Sequence, residues 1–145
     1  MPSLRGQFIF FERLGDLFSA NGCLVHCVSA DFHLGSGIAK EFLRRFPEIK
    51  TLVGTKVGEV GTVPVEKYFV YNLVTKPRYF DKPTYESLKD CLLSLKNHTE
   101  VHYVNSISMP RIGCGLDRLD WLKVKKIIFD VFKHSKISVN VYSLK

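Results

Sequence analysis

The residues of this chain best suited to chemistry are a lysine that closes an apolar run and an aspartate inside a glycine-rich segment. The lysine ends Leu73-Val74-Thr75-Lys76 and is followed by Pro77. The aspartate is Asp117 of Ser108-Met109-Pro110-Arg111-Ile112-Gly113-Cys114-Gly115-Leu116-Asp117-Arg118-Leu119. Glycines at 113 and 115 let the backbone approach a bulky anion and aim its N–H groups at phosphate oxygens. A carboxylate beside such a grip adds nothing to anion binding, so it points to acid–base work next to a nucleotide. Pro77 biases Lys76 towards an extended backbone and carries its side chain out of the strand end. An amine held there can attack a sugar's anomeric carbon if it is desolvated or next to a base, and Asp117 is the natural partner. A lysine in this setting is more often a solvated surface residue whose stem lies on apolar surface.

The remaining groups narrow the chemistry. Gly35-Ser36-Gly37-Ile38-Ala39 lies between a strand and a helix, the place for a phosphate or ribose loop. Lys40 stands where a dinucleotide fingerprint needs its third glycine, and Arg118 does the same for the Gly113-Cys114-Gly115 segment. No P-loop motif occurs, so ordinary nicotinamide or nucleoside-triphosphate chemistry is disfavoured. Asp16, after Leu14-Gly15, either caps a following turn or accepts from an exocyclic amine such as adenine's. Cys114 reads as a small residue that keeps its loop close to phosphate rather than as a thiol nucleophile. The histidines form no triad-like pairing with a serine or cysteine elbow. Cys23, His26, Cys27 and His33 match no common zinc spacing, and Cys23 to Val28 reads as a buried strand with reduced thiols. Neither a metal nor a cofactor is expected.

These residues need a frame. Gln7 to Glu12, Leu24 to Val28, Val104 to Met109 and the alternating Ile137 to Tyr142 read as strands. Tyr68 to Val74 is almost continuously apolar and reads as a central strand; Val57 to Val65 reads as an edge strand or hairpin. Helical spacing runs over Ile38 to Phe46, where Pro47 stops it, over Pro83 to Leu95, and over Leu119 to Phe132. Trp121 and the helically spaced phenylalanines are assigned to the core. Strands alternating with helices predict an α/β fold in three layers, α/β/α. In open sheets of this kind ligands sit at the carboxyl ends of strands, and each unusual loop here follows a strand.

Composition sets the outer limits. At 145 residues the chain is expected to form one domain with its own core, without cross-links. Hydrophobic residues make up 46% and charged residues 24%, an ordinary globular balance. No apolar run approaches the roughly 20 residues of a membrane span. Met1 to Gly6 lacks the apolar core of a secretory signal, so an intracellular location, nucleus or cytoplasm, is expected. The net charge of +7 is spread along the chain and allows weak contact with polyanions, nucleic acid included. No nucleic-acid motif accompanies it.

Taken in order, these pieces resemble a macrodomain, and within that fold the terminal ADP-ribose protein glycohydrolase branch. The resemblance rests on Gly15-Asp16-Leu17-Phe18, on His26-Cys27-Val28-Ser29 leading into Gly35 to Ala39, and on Leu73 to Lys76. Lys82-Pro83-Thr84-Tyr85-Glu86, Ser108 to Leu119 and Val141-Tyr142-Ser143-Leu144 complete it. It implies a single macrodomain over 1–145 with a mixed, roughly six-stranded sheet and ADP-ribose in the cleft at the strand ends. Asp16 and Leu17 would face the adenine, with Tyr142 and Leu144 closing over that side. Arg111, Ile112, Gly113, Cys114, Gly115 and Leu116 would wrap the diphosphate and distal ribose. Gly35, Ser36, Gly37, Ile38 and Ala39 would line the other side, with Ser29 and Thr75 in the pocket. Lys76 and Asp117 would be catalytic: similar enzymes remove mono-ADP-ribose from glutamate and aspartate esters through a lysyl adduct, and some deacylate O-acetyl-ADP-ribose. The implied partners are ADP-ribose and mono-ADP-ribosylated proteins, for a monomer that needs no membrane. Rival readings are a non-catalytic ADP-ribose or RNA reader and a phosphatase acting on ADP-ribose 1″-phosphate.

Overall fold

A computed structural model describes residues 7–144, so the reading of Met1 to Gly6 lies outside the described residues. Six strands form one sheet: β1 (Ile9–Leu14), β2 (Cys23–Ser29), β3 (Val60–Val65), β4 (Tyr68–Lys76), β5 (Ser106–Met109) and β6 (Ser138–Ser143). Their order is β1-β6-β5-β2-β4-β3, parallel except for β3, which runs antiparallel to β4. Helices α1 (Gly37–Arg45), α2 (Tyr85–Val101) and α3 (Trp121–Phe132) cover the two faces. The expected mixed six-stranded α/β/α arrangement is the one observed.

Period-2 alternation along β2 and β4 builds two cores from one sheet. Cys23, Val25, Tyr71 and Leu73 pack with α2 and α3, while Leu24, Val28, Val70 and Val74 pack with Phe42 of α1 and Ile49. Because both faces are covered, β4 is buried without a break from Val70 to Thr75, which accounts for its continuously apolar sequence. It lies second from the edge rather than at the centre, since antiparallel β3 takes the outer place. Pro47 does end α1, but it also opens a short 3-10 helix over Pro47–Leu52. Helix α2 runs one and a half turns past Leu95, to Val101. Among the described residues no helix is long and apolar enough to cross a membrane.

Local chemistry fixes where the helices begin. Thr84 and Ser87 form a reciprocal capping box at the start of α2. The Ser87 hydroxyl also donates to the Thr75 carbonyl at 2.6 Å, fastening α2 to the end of β4. Asp120 caps α3 by accepting from the Leu122 N–H at 3.0 Å. The parallel strands therefore deliver their following loops to one end of the sheet.

Candidate functional site

Loops after β1, β2, β4, β5 and β6 converge there on one open cleft of about 1500 Å³. At its wall the Lys76 Nζ donates to Asp117 Oδ1 at 2.5 Å, with the two side chains only 12% and 17% exposed. A one-residue register shift precedes the lysine: Val28 aligns with Val74, but Ser29 aligns with Lys76. Such irregularities re-aim a strand's last side chain, here at the edge of the cleft. The residue skipped is Thr75. Its side chain is buried, its hydroxyl has no partner, and it does not line the cleft, so the pocket role expected for it is not where the structure places it.

The glycine-rich segment after β5 is a stack of tight turns. Gly113 has φ +73°, Cys114 N–H donates to the Arg111 carbonyl, and Leu119 N–H donates to the Gly113 carbonyl at 2.7 Å. A side chain at Gly113 would meet Leu119 Cδ1 at 2.8 Å, whereas at Gly115 it would meet nothing. The two glycines thus differ: one shapes the loop and the other leaves open space for a ligand. Arg111, Ile112, Cys114 and Leu116 share this wall. Burial pushes the Cys114 thiol up to about 11 and raises Cys27 well above the usual thiol range, so both are protonated near neutrality. That favours the small-residue reading of Cys114.

Facing this segment, Gly35 to Ala39 line the cleft as α1 begins. Gly37 has φ +61°, and a Cβ there would sit 3.5 Å from Leu116 Cδ1, so the two walls nearly touch. Ser36 flanks the helix start without a side-chain capping bond, which leaves its hydroxyl available to a ligand. Ser29 lines the floor and donates to Asp31 Oδ1 at 2.5 Å. Burial works against ionised Asp31, but the Ser29 hydroxyl and the His33 and Tyr79 N–H groups outweigh it and hold the carboxyl below its usual range.

At the far end, Asp16 caps a turn and stands in the cleft wall. Its Oδ1 accepts from Phe18 N–H at 3.0 Å and caps the 3-10 turn Leu17–Ser19, while the residue lines the cleft beside Leu17. Tyr142 and Leu144 complete that side.

Four aromatic residues of the lining, Phe18, Tyr79, Phe80 and Trp121, were not expected as site residues from sequence. Trp121, assigned to the core, does pack against it but also reaches the cleft rim, where its indole N–H donates to Glu12 Oε1 at 3.0 Å. The Lys125 ammonium binds the other Glu12 oxygen at 2.6 Å, and Arg111 lies 5.5 Å over the indole. The Lys125 hydrogen bond is the chief reason that the Glu12 carboxyl lies below its ordinary range. Because Trp121 is the first residue of α3, helical spacing reported its core contact and not its place at the cleft rim. Tyr79 and Phe80 stand in a loop with no periodicity to reveal their direction. Among the described residues no cluster of three or more metal-ligating side chains occurs, and all four cysteines are free.

A family model described as Macro domain matches residues 20–128. The chain is 43% identical over 134 residues to the ADP-ribose glycohydrolase OARD1 of Bos taurus, covering 90% of this chain and 88% of that protein. Its fold is similar to the macrodomain of Thermus aquaticus DarG, with a TM-score of 0.86 at 23% identity over 94% of this chain and 99% of that one. It is also similar to Thermosipho africanus DarTG in complex with ADP-ribose, with a TM-score of 0.80 at 18% identity over 91% of this chain and 41% of that one.

Proposed function

This chain belongs to the Macro domain family, and from that premise we propose that it is an ADP-ribose glycohydrolase that frees mono-ADP-ribose from glutamate and aspartate esters on proteins. The observation that carries this reading is the Lys76–Asp117 pair, 2.5 Å apart and largely desolvated at the wall of a nucleotide-sized cleft. A binding module gains nothing from a desolvated ion pair where the distal ribose ends. A similar protein, OARD1 of Bos taurus, is named ADP-ribose glycohydrolase.

In this reading the adenine lies by Asp16 and Leu17 under Tyr142 and Leu144. The diphosphate takes backbone N–H groups from Gly113 to Gly115 and from the start of α1. The distal ribose then reaches Lys76 between Ser29 and Asp117. Asp117 takes a proton from the Lys76 ammonium. The freed amine attacks C1″, its nitrogen bonding to that carbon as the C1″–O bond to the acceptor breaks and the electron pair leaves with the carboxylate. Water, with Asp117 as acid–base group, then adds to C1″; the C–N bond breaks and the amine recovers its proton.

The test is incubation with a protein modified on glutamate beside one modified on arginine, following loss of label. Release from glutamate alone is expected, and Lys76→Ala should slow it by roughly a thousandfold or more while ADP-ribose affinity stays within a few-fold. Unchanged release in that variant excludes the covalent route. Binding without release from either protein identifies a reader.

A further inference from the structure

Tyr79 and Phe80 are 52% and 65% exposed at the cleft wall, just after the residue that carries the proposed nucleophile. Large apolar side chains on a mobile tip need no explanation, but this turn is held from two directions. Asp31 N–H donates to the Pro77 carbonyl at 3.2 Å, and Tyr79 N–H donates back to Asp31 Oδ2 at 3.0 Å. Within the turn, Arg78 N–H donates to Asp81 Oδ2 and Asp81 N–H to the Arg78 carbonyl, each at 3.0 Å. The rings meet edge to face at 5.3 Å, with His33 against Tyr79 at 4.1 Å and the Arg78 guanidinium 4.8 Å over Phe80. The result is a preset aromatic corner, its direction fixed by neighbours on both sides.

We propose that Tyr79 and Phe80 form an acceptor wall, which holds the acidic peptide segment surrounding the modified carboxylate. The inference rests on the glycohydrolase reading and deepens it. ADP-ribose ends at the carbon that Lys76 reaches, so side chains farther along the same loop meet whatever is bonded there. Charge argues for acidic flanks. Lys82 in this turn and Arg118 beside Asp117 have no carboxylate within ion-pair distance among the described residues, and Arg78 shares only Asp81. The nearby carboxylates are already engaged, Asp31 by Ser29, His33 and Tyr79, and Asp81 by Arg78. An edge-to-face corner with one ring face under a guanidinium suits side chains and peptide backbone better than the flat stacking that single-stranded nucleic acid uses.

The experiment measures binding of free ADP-ribose, a glutamate-ADP-ribosylated acidic peptide and an ADP-ribosylated oligonucleotide. Lys76→Ala protein keeps the ester intact, with and without Tyr79→Ser/Phe80→Ser. A parallel arm follows turnover of the peptide by Lys76-containing protein. The peptide should bind about tenfold more tightly than ADP-ribose, and the double substitution should erase that gain, with the kinetic loss in KM rather than kcat. An equal loss for free ADP-ribose, or no loss for the peptide, overturns the proposal; a loss confined to the oligonucleotide overturns the peptide assignment. If unsubstituted protein fails to release ADP-ribose yet shows the peptide gain, the hydrolase reading falls and the acceptor wall stands.

Discussion

In the proposed reaction Lys76 attacks carbon only after losing a proton, and Asp117, 2.5 Å away, is the group placed to receive it. In the proposed mechanism the aspartate acts twice, first as the amine is freed and again as the adduct is opened. Asp117→Asn keeps the shape but not the basicity, so turnover should fall by roughly a hundred- to ten-thousandfold. Intact mass should reveal adduct wherever residual attack outruns its hydrolysis; full activity with no adduct would remove Asp117 from the mechanism. This pair was legible in sequence because each partner sits in an unusual context, a lysine before proline and an aspartate after two glycines. The burial of Thr75 away from the cleft lining was not legible, for the opposite reason: a register shift between β2 and β4 depends on a neighbour distant in sequence.

At the scale of elements, the loop after β5 depends on two glycines with different duties. Gly113→Ala forces a Cβ into a positive φ and against buried Leu119, so urea melts should show a loss of about 2 kcal/mol or more together with weaker ADP-ribose binding. Gly115→Ala meets open space and should stay within about 0.5 kcal/mol in stability. Asp120→Ala, which removes the α3 cap, should cost about 1 kcal/mol. Most elements were readable because glycine, proline and capping residues punctuate them. The 3-10 helix over Pro47–Leu52 was not, because its short apolar pattern lacks a period. Nor was the place of β4 in the sheet, because continuous apolarity reports burial on two faces and not the identity of its neighbours.

Across the whole molecule, acid sensitivity has an identifiable source. His26 is fully buried in β2, stacked 3.7 Å from Phe42, with Nε2 at 2.5 Å from Asn72 Oδ1. Burial lowers its pKa to about 4, although the Asn72 hydrogen bond works the other way. In the unfolded chain the ring titrates near 6.5, so below that pH the unfolded state holds a proton that the folded state refuses. Stability is therefore complete above about pH 6.5 and declines until the folded ring titrates near 4. Between pH 7 and 5 the loss should be on the order of 2 kcal/mol, and His26→Gln should flatten it even if its stability at pH 7 is lower. A slope unchanged in that variant would assign the acid effect elsewhere.

The sheet's edge has a further consequence, for the order in which the molecule can be made. Among the described residues strand β1 pairs only with β6, from Ile9 beside Ser138 to Leu14 beside Ser143. A chain leaving the ribosome presents β1, with Phe8 and Phe10, before the other five strands of the sheet and supplies its partner after them. That same segment brings Tyr142 and Leu144 to the cleft. Nucleotide therefore cannot template the early stages of folding: the pocket is finished only when β1 meets β6, the sixth strand of the sheet in chain order, and until then shielding of β1 falls to whatever chaperones the nascent chain.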